Sequence, residues 1–324
     1  MIPFLDRDAV HAALDHPCLI AALRAAFAAD DVEAPTRTAH EVGTPAAPGR
    51  LLLMPAWRRG EAVGVKLVNV FPGNAGRGQG AVSAVYVLFD GVTGAPRALI
   101  DGEALTNRRT AAASALASTY LSRPDSGVLA LVGTGQLSPA LAQAHAAVRP
   151  IRRLLVWGRS AAKAEALAAQ LRAEGLAAEP APDLAAAVAA ADIVSCATTS
   201  TEPLVLGRHV RPGTHVDLVG AFKPTMRESD DALIRAARVY VDTYAGALAE
   251  AGDLTQPIAA GLWSRDRIAG DLHELCSGAR AGRTRPDEIT VFKSVGASLE
   301  DLVAAALVME WSQGAASHGD RHRA

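Results

Sequence analysis

From residue 123 onward the chain alternates short apolar runs with alanine-rich helical segments, and this alternation constrains the fold more than any other feature. Short apolar runs between amphipathic helices are typical of strands buried on both faces of a parallel sheet. Parallel strands need helical crossovers, so the pattern predicts an α/β fold with a Rossmann-type doubly wound parallel sheet. The predicted strands lie at residues 128–133, 153–158, 192–199, 214–221, 238–243 and 288–296.

The residues before this region follow a different pattern. Apolar side chains at helical spacing predict an amphipathic helix over residues 5–30. Between residues 32 and 100, strand-like runs are separated by Pro- and Gly-rich turns, which predicts a mostly antiparallel sheet. Helical patterns return at residues 103–120 and 297–313. The sequence SRPDSG breaks the pattern near residues 121–126, and we place a domain boundary there.

Composition and charge exclude several classes of function. A formal net charge of -2 without a basic stripe argues against a nucleic-acid-binding surface. No stretch reaches the ~18 uncharged apolar residues of a membrane span, and the N-terminus lacks the basic start and apolar run of a signal peptide. The cysteines Cys18, Cys196 and Cys276 form no CxxC pair or metal-ligand spacing, so we expect no metal and a reducing, cytoplasmic location.

A glycine-rich turn lies between the first predicted parallel strand and the helix after it. It reads GTGQLS over residues 133–138, one step from the GxGxxG/A pattern of dinucleotide-binding loops. The first glycine permits the tight turn, the second lets a pyrophosphate approach the backbone, and Ser138 is small enough for helix–strand packing. Free N–H groups at the helix N-terminus attract phosphate; the alternative is an ordinary glycine turn. The predicted cofactor contacts here are Gly133, Thr134, Gly135, Gln136 and Leu137.

The end of the second predicted strand distinguishes NAD from NADP. NAD-dependent enzymes place a carboxylate there to bond the ribose hydroxyls. This chain instead has Arg159 and Ser160, with Lys163 one turn later. Arg159 can bind a 2′-phosphate through paired N–H groups and Ser160 can donate to it, so we predict NADP, with NADPH preferred over NADH. The alternative is that these side chains are solvated surface groups.

Five motifs, in order along nearly the whole chain, resemble the ornithine cyclodeaminase/mu-crystallin family. They read KLVNVFPGN (66–74), NRRTAAASALAS (107–118), LVGTGQ (131–136), ATTSTEP (197–203) and VFKSVGASLEDL (291–302). The resemblance implies a Rossmann dinucleotide-binding domain over residues 123–296. It also implies a second α/β domain, for substrate binding and dimerisation, built from residues 1–122 plus 297–324. Members of the family are commonly homodimers.

The resemblance further implies a cationic site for the carboxylate of a small amino or imino acid. Lys66 and Arg109 match the family's lysine and arginine and are the predicted catalytic residues, and Arg37 matches an upstream arginine more loosely. A lysine that interrupts an apolar strand must be paired or functional. Arg108 is the alternative for the inward-facing arginine, and an ordinary surface arginine is the alternative for Arg37. Ser83 is a further candidate for substrate binding, with an ordinary strand serine as the alternative.

Residues that follow two of the predicted strands match the family's nicotinamide contacts. Ligands of doubly wound sheets bind at the carboxyl ends of the strands, which agrees with these positions. The predicted contacts are Thr198, Thr199, Ser294, Val295 and Gly296.

The resemblance also bears on the reaction. Ornithine cyclodeaminases carry an aspartate after a strand that ends in a Gly-Gly-type pair, and this aspartate serves as a base in ring closure. The corresponding position in LVGAFKPTMRE (218–228) is Phe222, which cannot accept a proton. Glu228 and Asp230 are expected at the start of the next helix, where acids suit the helix dipole. Ring closure is therefore disfavoured, and Phe222 is predicted to pack against the ring of the substrate.

The sequence thus predicts NADPH-dependent reduction of a cyclic imino acid, Δ1-pyrroline-2-carboxylate or Δ1-piperideine-2-carboxylate, to L-proline or L-pipecolate. The nicotinamide supplies the hydride, so the protein has to clamp the carboxylate and shelter the imine from water. Three alternatives stay open: ornithine cyclodeamination with another base, an alanine dehydrogenase-like reductase of open-chain imines, and a non-enzymatic NADPH-binding protein. His40 is a candidate proton donor, with a loop histidine without a role as the alternative.

Overall fold

The computed structural model describes residues 2–77 and 79–319. The chain forms two compact units: the residues up to Arg109 together with those from Ala297 on, and Thr110–Gly296. The packing divides after Arg109, inside a helix, and after Gly296. The assignment of residues 1–122 plus 297–324 and of residues 123–296 to separate functional domains stays a prediction.

The described residues contain fourteen strands, eleven α-helices and three short 3₁₀ helices. The strands are β1 (Phe4–Leu5), β2 (Thr38–Glu41), β3 (Arg50–Arg58), β4 (Ala62–Val70), β5 (Val82–Asp90), β6 (Pro96–Asp101), β7 (Val128–Val132), β8 (Arg153–Trp157), β9 (Ala178–Pro180), β10 (Ile193–Cys196), β11 (His215–Leu218), β12 (Arg238–Val241), β13 (Ile268–Asp271) and β14 (Thr290–Lys293). The α-helices are α1 (Arg7–Ala13), α2 (His16–Ala29), α3 (Gly102–Leu121), α4 (Ser138–Val148), α5 (Ala161–Ala173), α6 (Leu184–Ala190), α7 (Asp231–Ala236), α8 (Tyr244–Glu250), α9 (Gly252–Ala259), α10 (Leu272–Ser277) and α11 (Ser298–Gly319). The 3₁₀ helices are Pro72–Arg77, Gly207–His209 and Arg265–Arg267.

The first unit contains a six-stranded sheet with the order β1-β6-β5-β4-β3-β2. Strands β2 to β6 pair antiparallel in sequence order, which confirms the predicted antiparallel sheet, and β1 pairs with β6 in parallel.

The helix predicted over residues 5–30 is wrong in one respect, because two helices, α1 and α2, occupy this range. Asp15 caps α2 by accepting a hydrogen bond from the N–H of Cys18 at 2.9 Å, and Pro17 occupies its first turn. No single helix of the described residues is long and apolar enough to cross a membrane; α1 and α2 meet that condition only when taken together, across a bend of 77°.

The two faces of the six-stranded sheet differ. On one face α11 packs against β3, β4 and β5. Side chains alternate between faces along a strand, and Met54, Lys66 and Tyr86 are buried cross-strand neighbours on the same face. The opposite face carries apolar side chains that stay partly exposed. They are Leu53, Pro55, Trp57, Val63, Val65, Leu67, Val85, Val87, Phe89 and Leu99.

The second unit contains an eight-stranded sheet with the order β13-β12-β14-β11-β10-β7-β8-β9, in which every pair is parallel. This confirms the predicted doubly wound α/β fold, and all six predicted strands are present. Two strands were not predicted, β9 with the sequence AEP and β13 with IAGD. Both lie at an edge of the sheet, where a short strand without an apolar run is sufficient.

A buried polar network connects this sheet to two helices. Asp217 on β11 accepts hydrogen bonds from the hydroxyl groups of Ser195 at 2.7 Å and Ser114 at 2.9 Å, and His145 Nε2 lies 3.3 Å from its carboxylate. All four side chains are completely buried. Because Ser114 lies on α3 and His145 on α4, the network orients the helix that follows the GTGQLS turn.

Candidate functional site

The predicted dinucleotide loop connects β7 to α4. Gly133 has a φ of 121°, and a Cβ there would lie 2.5 Å from the carbonyl oxygen of Ala197, so only glycine fits. Gly135 borders open space, where a phosphate can approach the backbone. The Ser138 hydroxyl donates to the carbonyl of Gly133 at 3.0 Å and closes the turn. These features fit a bound dinucleotide, and the same turn contains Thr134, Gln136 and Leu137.

The end of β8 lies beside this loop. A Cβ at Gly158 would be 2.7 Å from Cγ2 of Thr134, so the two turns are in close contact. Arg159, Ser160 and Lys163 are all exposed directly after this point. The Ser160 hydroxyl caps α5, and Arg159 makes no ion pair with any described residue. An uncommitted cation in this position fits a 2′-phosphate, and the preference for NADP stays a prediction.

The predicted nicotinamide contacts lie at the carboxyl ends of β10 and β14. The loop after β14 is held from the neighbouring strand, because Asp242, which follows β12, accepts hydrogen bonds at 2.7 Å from both Val295 N–H and Gly296 N–H. The sequence reasoning did not identify this aspartate. The residues concerned at the two strand ends are Thr198, Thr199, Ser294, Val295 and Gly296.

Glu228 is a second carboxylate whose place the sequence did not show. We expected it with Asp230 at the start of a helix, and Asp230 does cap α7. Glu228, by contrast, precedes the helix and is completely buried, with hydrogen bonds from the backbone of the loops after β10 and β11. Burial raises the pKa of the Glu228 carboxyl group, and the nearby Lys293 opposes that shift.

The first unit holds a buried cluster of opposite charges under α11. Lys66 on β4 is 2% exposed, and its ammonium lies 2.8 Å from Asp301 Oδ1. Arg109 donates to the same oxygen through Nε at 2.8 Å and to Glu300 Oε2 through Nη1 at 2.7 Å. Both acids lie in the first turn of α11. Asp301 therefore joins the two predicted catalytic cations, and Glu300 pairs with Arg109 alone. No role had been predicted for either acid from the sequence.

Burial and pairing determine the protonation of this cluster. Burial lowers the pKa of Lys66 to about 8; Arg109 adds to the decrease, and Asp301 opposes it. Burial also acts to lower the pKa of Arg109, but Asp301 and Glu300 outweigh it and raise that pKa. Burial acts to raise the pKa of Asp301, and the two cations outweigh it and lower that pKa. Lys66 therefore loses its proton near pH 8, well below the ordinary range of a lysine.

Arg37 lies near this cluster, and Ser83 does not. Arg37 is half-buried, its Nη1 lies 3.9 Å from the sulfur of Met54, and its charge contributes to the lowered pKa of Lys66. Ser83 pairs with Asn69 across β4 and β5, whereas Lys66 pairs with Tyr86. The two-residue period of a strand places Ser83 on the opposite face of the sheet. The structure thus contradicts the expectation that Ser83 shares the site of Lys66.

Arg108 and His40 were the other basic residues considered for the site. Arg108 donates to His11 Nδ1 at 3.0 Å and contacts His16, so Arg109 is the arginine that reaches the buried acids. His40 is exposed on the edge strand β2, and its role as a proton donor stays a prediction. Within residues 2–77 and 79–319, no group of three or more His, Cys, Asp or Glu side chains is arranged to hold a metal ion.

Comparison with known proteins gives these sites a context. The sequence profile of the ornithine cyclodeaminase/mu-crystallin family matches residues 7–315. The chain belongs to this family. It is 42% identical to the Δ1-pyrroline-2-carboxylate reductase of Paracoccus denitrificans, over 80% of this chain and 83% of the relative.

Two solved structures are similar to this chain over nearly their whole length. The Δ1-pyrroline-2-carboxylate reductase of Thermococcus litoralis, in complex with NADH and L-proline, has a TM-score of 0.92 and 33% identity, and 98% of each chain is covered. An archaeal alanine dehydrogenase dimer with bound NAD has a TM-score of 0.90 and 26% identity, with 97% of this chain and 96% of that chain covered.

Phe222 is the residue at which the resemblance to cyclodeaminases predicts a missing aspartate. Phe222 follows β11 and is half-buried, with the ammonium of Lys223 5.5 Å from the centre of its ring. Glu228 is the acid in segment 218–228, and backbone donors occupy its carboxylate. The segment therefore contains no carboxylate that is free of backbone hydrogen bonds. That Phe222 takes the place of a catalytic aspartate stays a prediction.

The missed acid Asp301 does leave a signal in the sequence. It lies three, four and seven residues before Ala304, Ala305 and Val308, all of which are completely buried on α11. An acid on the apolar stripe of a helix needs a buried cationic partner. The sequence can therefore indicate that Asp301 is paired, although it does not name Lys66 and Arg109 as the partners.

Proposed function

We propose that this chain is an NADPH-dependent reductase of a cyclic imino acid, converting Δ1-pyrroline-2-carboxylate or Δ1-piperideine-2-carboxylate to L-proline or L-pipecolate. Its class, a nicotinamide-dependent oxidoreductase that acts on a C=N bond, is supported by reductases of the same family at about 40% identity and by a reductase structure with NADH. Phe222 carries the choice of substrate within that class, because ring closure needs a base and reduction of a closed ring does not.

Three cations of the first unit are proposed to hold the substrate carboxylate. Lys66 uses one hydrogen bond on Asp301, which leaves two of its N–H groups for a ligand. Arg109 uses Nε and Nη1 on the buried acids, which leaves Nη2. Arg37 supplies a third positive charge. A carboxylate bound in this way fixes the orientation of the substrate. Hydride transfer from the nicotinamide to the imine carbon next to that carboxylate then becomes effectively intramolecular.

A bound NADPH would supply the hydride, and an imine that is already protonated needs no further acid. Phe222 is proposed to pack against the methylene groups of the ring and to keep water away from the C=N bond. Arg159, Ser160 and Lys163 are proposed to bind the 2′-phosphate, and the GTGQLS turn to bind the pyrophosphate.

A homodimer in the cytoplasm completes the proposal. The partly exposed apolar face of the six-stranded sheet supports self-association, since contiguous apolar patches of this kind are typical of interfaces between proteins. The cytoplasmic location rests on the sparse, widely spaced cysteines.

The test is oxidation of NADPH by the purified protein with each of the two cyclic imino acids, with NADH measured in parallel. We expect turnover with at least one imino acid and a higher kcat/KM with NADPH. L-ornithine with NAD, and pyruvate with ammonia or methylamine, serve as the comparison substrates. Ammonia release from ornithine, or faster reduction of the open-chain imine, would overturn the proposal; NADPH binding without any turnover would favour a binding protein.

A further inference from the structure

Glu228 joins the loop after β10 to the loop after β11. Its Oε1 accepts hydrogen bonds from the N–H of Thr198 at 2.6 Å and from the Thr198 hydroxyl at 2.9 Å. Its Oε2 accepts from the N–H of Gly220 at 2.8 Å and from the N–H of Ala221 at 3.1 Å. These hydrogen bonds favour the ionised carboxylate and oppose the effect of burial on its pKa, because three of the four donors are backbone N–H groups, which cannot accept a hydrogen bond in return.

The two loops also touch through their backbones. A Cβ at Gly220 would lie 2.0 Å from the carbonyl oxygen and 2.1 Å from the nitrogen of Thr198. Strands β10 and β11 are neighbours in the sheet, so this contact makes the two strand ends one continuous surface. Thr199 and Phe222 are the next residues along these loops. Any change at the carboxylate therefore reaches both loops.

Glu228 is itself held by charged groups from two other elements. Its N–H donates to Asp253 Oδ1 at 2.8 Å, and Asp253 lies on α9. Lys293, the last residue of β14, lies 3.2 Å from Asp253 Oδ2 and 3.9 Å from Glu228 Oε2. All three side chains are completely buried. Buried ions cost more to desolvate than apolar groups of the same size, so this cluster does more for geometry than for stability.

We propose that Glu228 is a positioning residue for the nicotinamide ring: it holds the loops after β10 and β11 in one arrangement and so defines the surface against which the ring packs. This rests on the proposed function, because it assumes a nicotinamide cofactor at these strand ends. A glutamine cannot replace it, since an amide has one acceptor oxygen and one donor nitrogen. Glutamine would satisfy one loop and turn its N–H groups toward the donors of the other.

The experiment compares Glu228→Gln with the wild type and with Asp230→Ala, which removes the cap of α7 two residues away and leaves both loops bonded. The dissociation constants of NADPH and of 2′-phospho-ADP-ribose, which lacks the nicotinamide, are measured by titration without turnover. For Glu228→Gln we expect NADPH binding to weaken about tenfold and 2′-phospho-ADP-ribose binding to stay within about twofold. For Asp230→Ala the ratio of the two constants is unchanged.

If Glu228 had only a structural role, its replacement would raise the dissociation constants of both ligands by the same factor. Equal weakening of both, or no change in either, would overturn the proposal, as would a wild type that binds the two ligands equally well. If Glu228→Gln weakens the binding of NADPH selectively but the wild-type protein reduces no imino acid, the proposed function fails and the role of Glu228 stands. Should Glu228→Gln not fold, Glu228→Asp keeps the charge but is one methylene shorter and so reaches the donors of both loops less well, and we expect a smaller loss of the same kind, about threefold for NADPH alone. An equal loss for both ligands would contradict the proposal.

Discussion

The buried cations of the first unit are neutralised before any substrate binds. Lys66 and Arg109 share Asp301, and Arg109 also pairs with Glu300. A substrate carboxylate that enters this cluster adds a negative charge to a balanced group. Binding is favourable only if Arg37 takes part and Lys66 keeps its proton, because an unbalanced buried charge is costly. If the substrate carboxylate binds here as proposed, the protonation of Lys66 controls its affinity.

We expect the KM for the imino acid to rise above about pH 8. The pKa of Lys66 is lowered to about 8, so its ammonium is present below this pH and is lost as the pH rises through it. A neutral amine does not pair with a carboxylate, so affinity is full at lower pH and falls by roughly tenfold per pH unit above the pKa. The measurement is KM as a function of pH in the wild type.

Lys66→Arg is the matched control, because arginine keeps its charge over the whole range. Of the groups around Lys66, Asp301 has a lowered pKa, and Arg109 and Tyr86 have raised ones, so each keeps its ordinary charge in this window. Ionisation of the substrate is common to both proteins. A wild-type KM that follows that of Lys66→Arg at every pH would contradict the prediction.

Arg159 is the residue that we propose to decide between NADPH and NADH. We expect Arg159→Ala to lower kcat/KM for NADPH by roughly 10- to 100-fold, which corresponds to the ~1.5–3 kcal/mol of a hydrogen bond to a charged group, and to leave NADH nearly unaffected. Arg235→Ala, at an exposed arginine in the last turn of α7, serves as the control and should change neither value. If the ratio of kcat/KM for NADPH to that for NADH is the same in Arg159→Ala as in the wild type, the 2′-phosphate is bound elsewhere.

At the scale of the elements, the six-stranded sheet uses its two faces differently. Strand β4 presents Lys66 to the face under α11 and Val65 and Leu67 to the other face. Cross-strand pairs such as Val65 with Val87 and Leu67 with Val85 continue the apolar surface across neighbouring strands. A sheet with one face left partly exposed and apolar is stabilised when a second surface covers it.

We expect Val65→Lys to convert the proposed dimer to a monomer. The lysine would place a charge without a partner in the middle of the apolar face, and an unpaired buried charge costs several kcal/mol. The measurement is molar mass by light scattering after gel filtration. Val92→Lys is the control, because Val92 is 78% exposed in the turn after β5. Equal dimer content in the two variants would contradict the assignment of this face.

At the scale of the whole molecule, the proposed cofactor site lies entirely in the second unit, so we expect cofactor binding to stabilise that unit. The glycine turn, the end of β8 and the ends of β10 and β14 all belong to residues 110–296. A ligand that binds these elements only in the folded protein stabilises the fold by mass action. The stabilisation depends on the ligand concentration relative to its dissociation constant.

We expect NADPH at about 100 times its dissociation constant to raise the melting temperature by roughly 3–8 °C, because that excess contributes about 2.7 kcal/mol. The measurement is differential scanning fluorimetry. NADH at the same concentration should give a smaller shift, and the difference should disappear in Arg159→Ala. Equal shifts with both cofactors in the wild type would argue against selectivity for NADPH.

Secondary-structure elements with a clear periodicity of apolar residues could be predicted from the sequence. The strands and helices of the second unit follow from local periodicity, and the dinucleotide turn follows from the spacing of Gly133 and Gly135 after a strand. The short edge strands β9 and β13 were missed, since three or four residues are too few to show a period. The break between α1 and α2 was missed although Asp15 and Pro17 indicate a new helix.

Local patterns and family motifs were enough to predict the doubly wound sheet, the glycine turn after β7 and the inward-facing cations Lys66 and Arg109. The pairing of Asp301 with both cations, the joining of two loops by Glu228, and the place of Ser83 on the opposite face of its sheet all depend on tertiary packing. Lys66 and Asp301 are 235 residues apart in the chain. A contact of that kind depends on how distant elements pack, and no local periodicity records it.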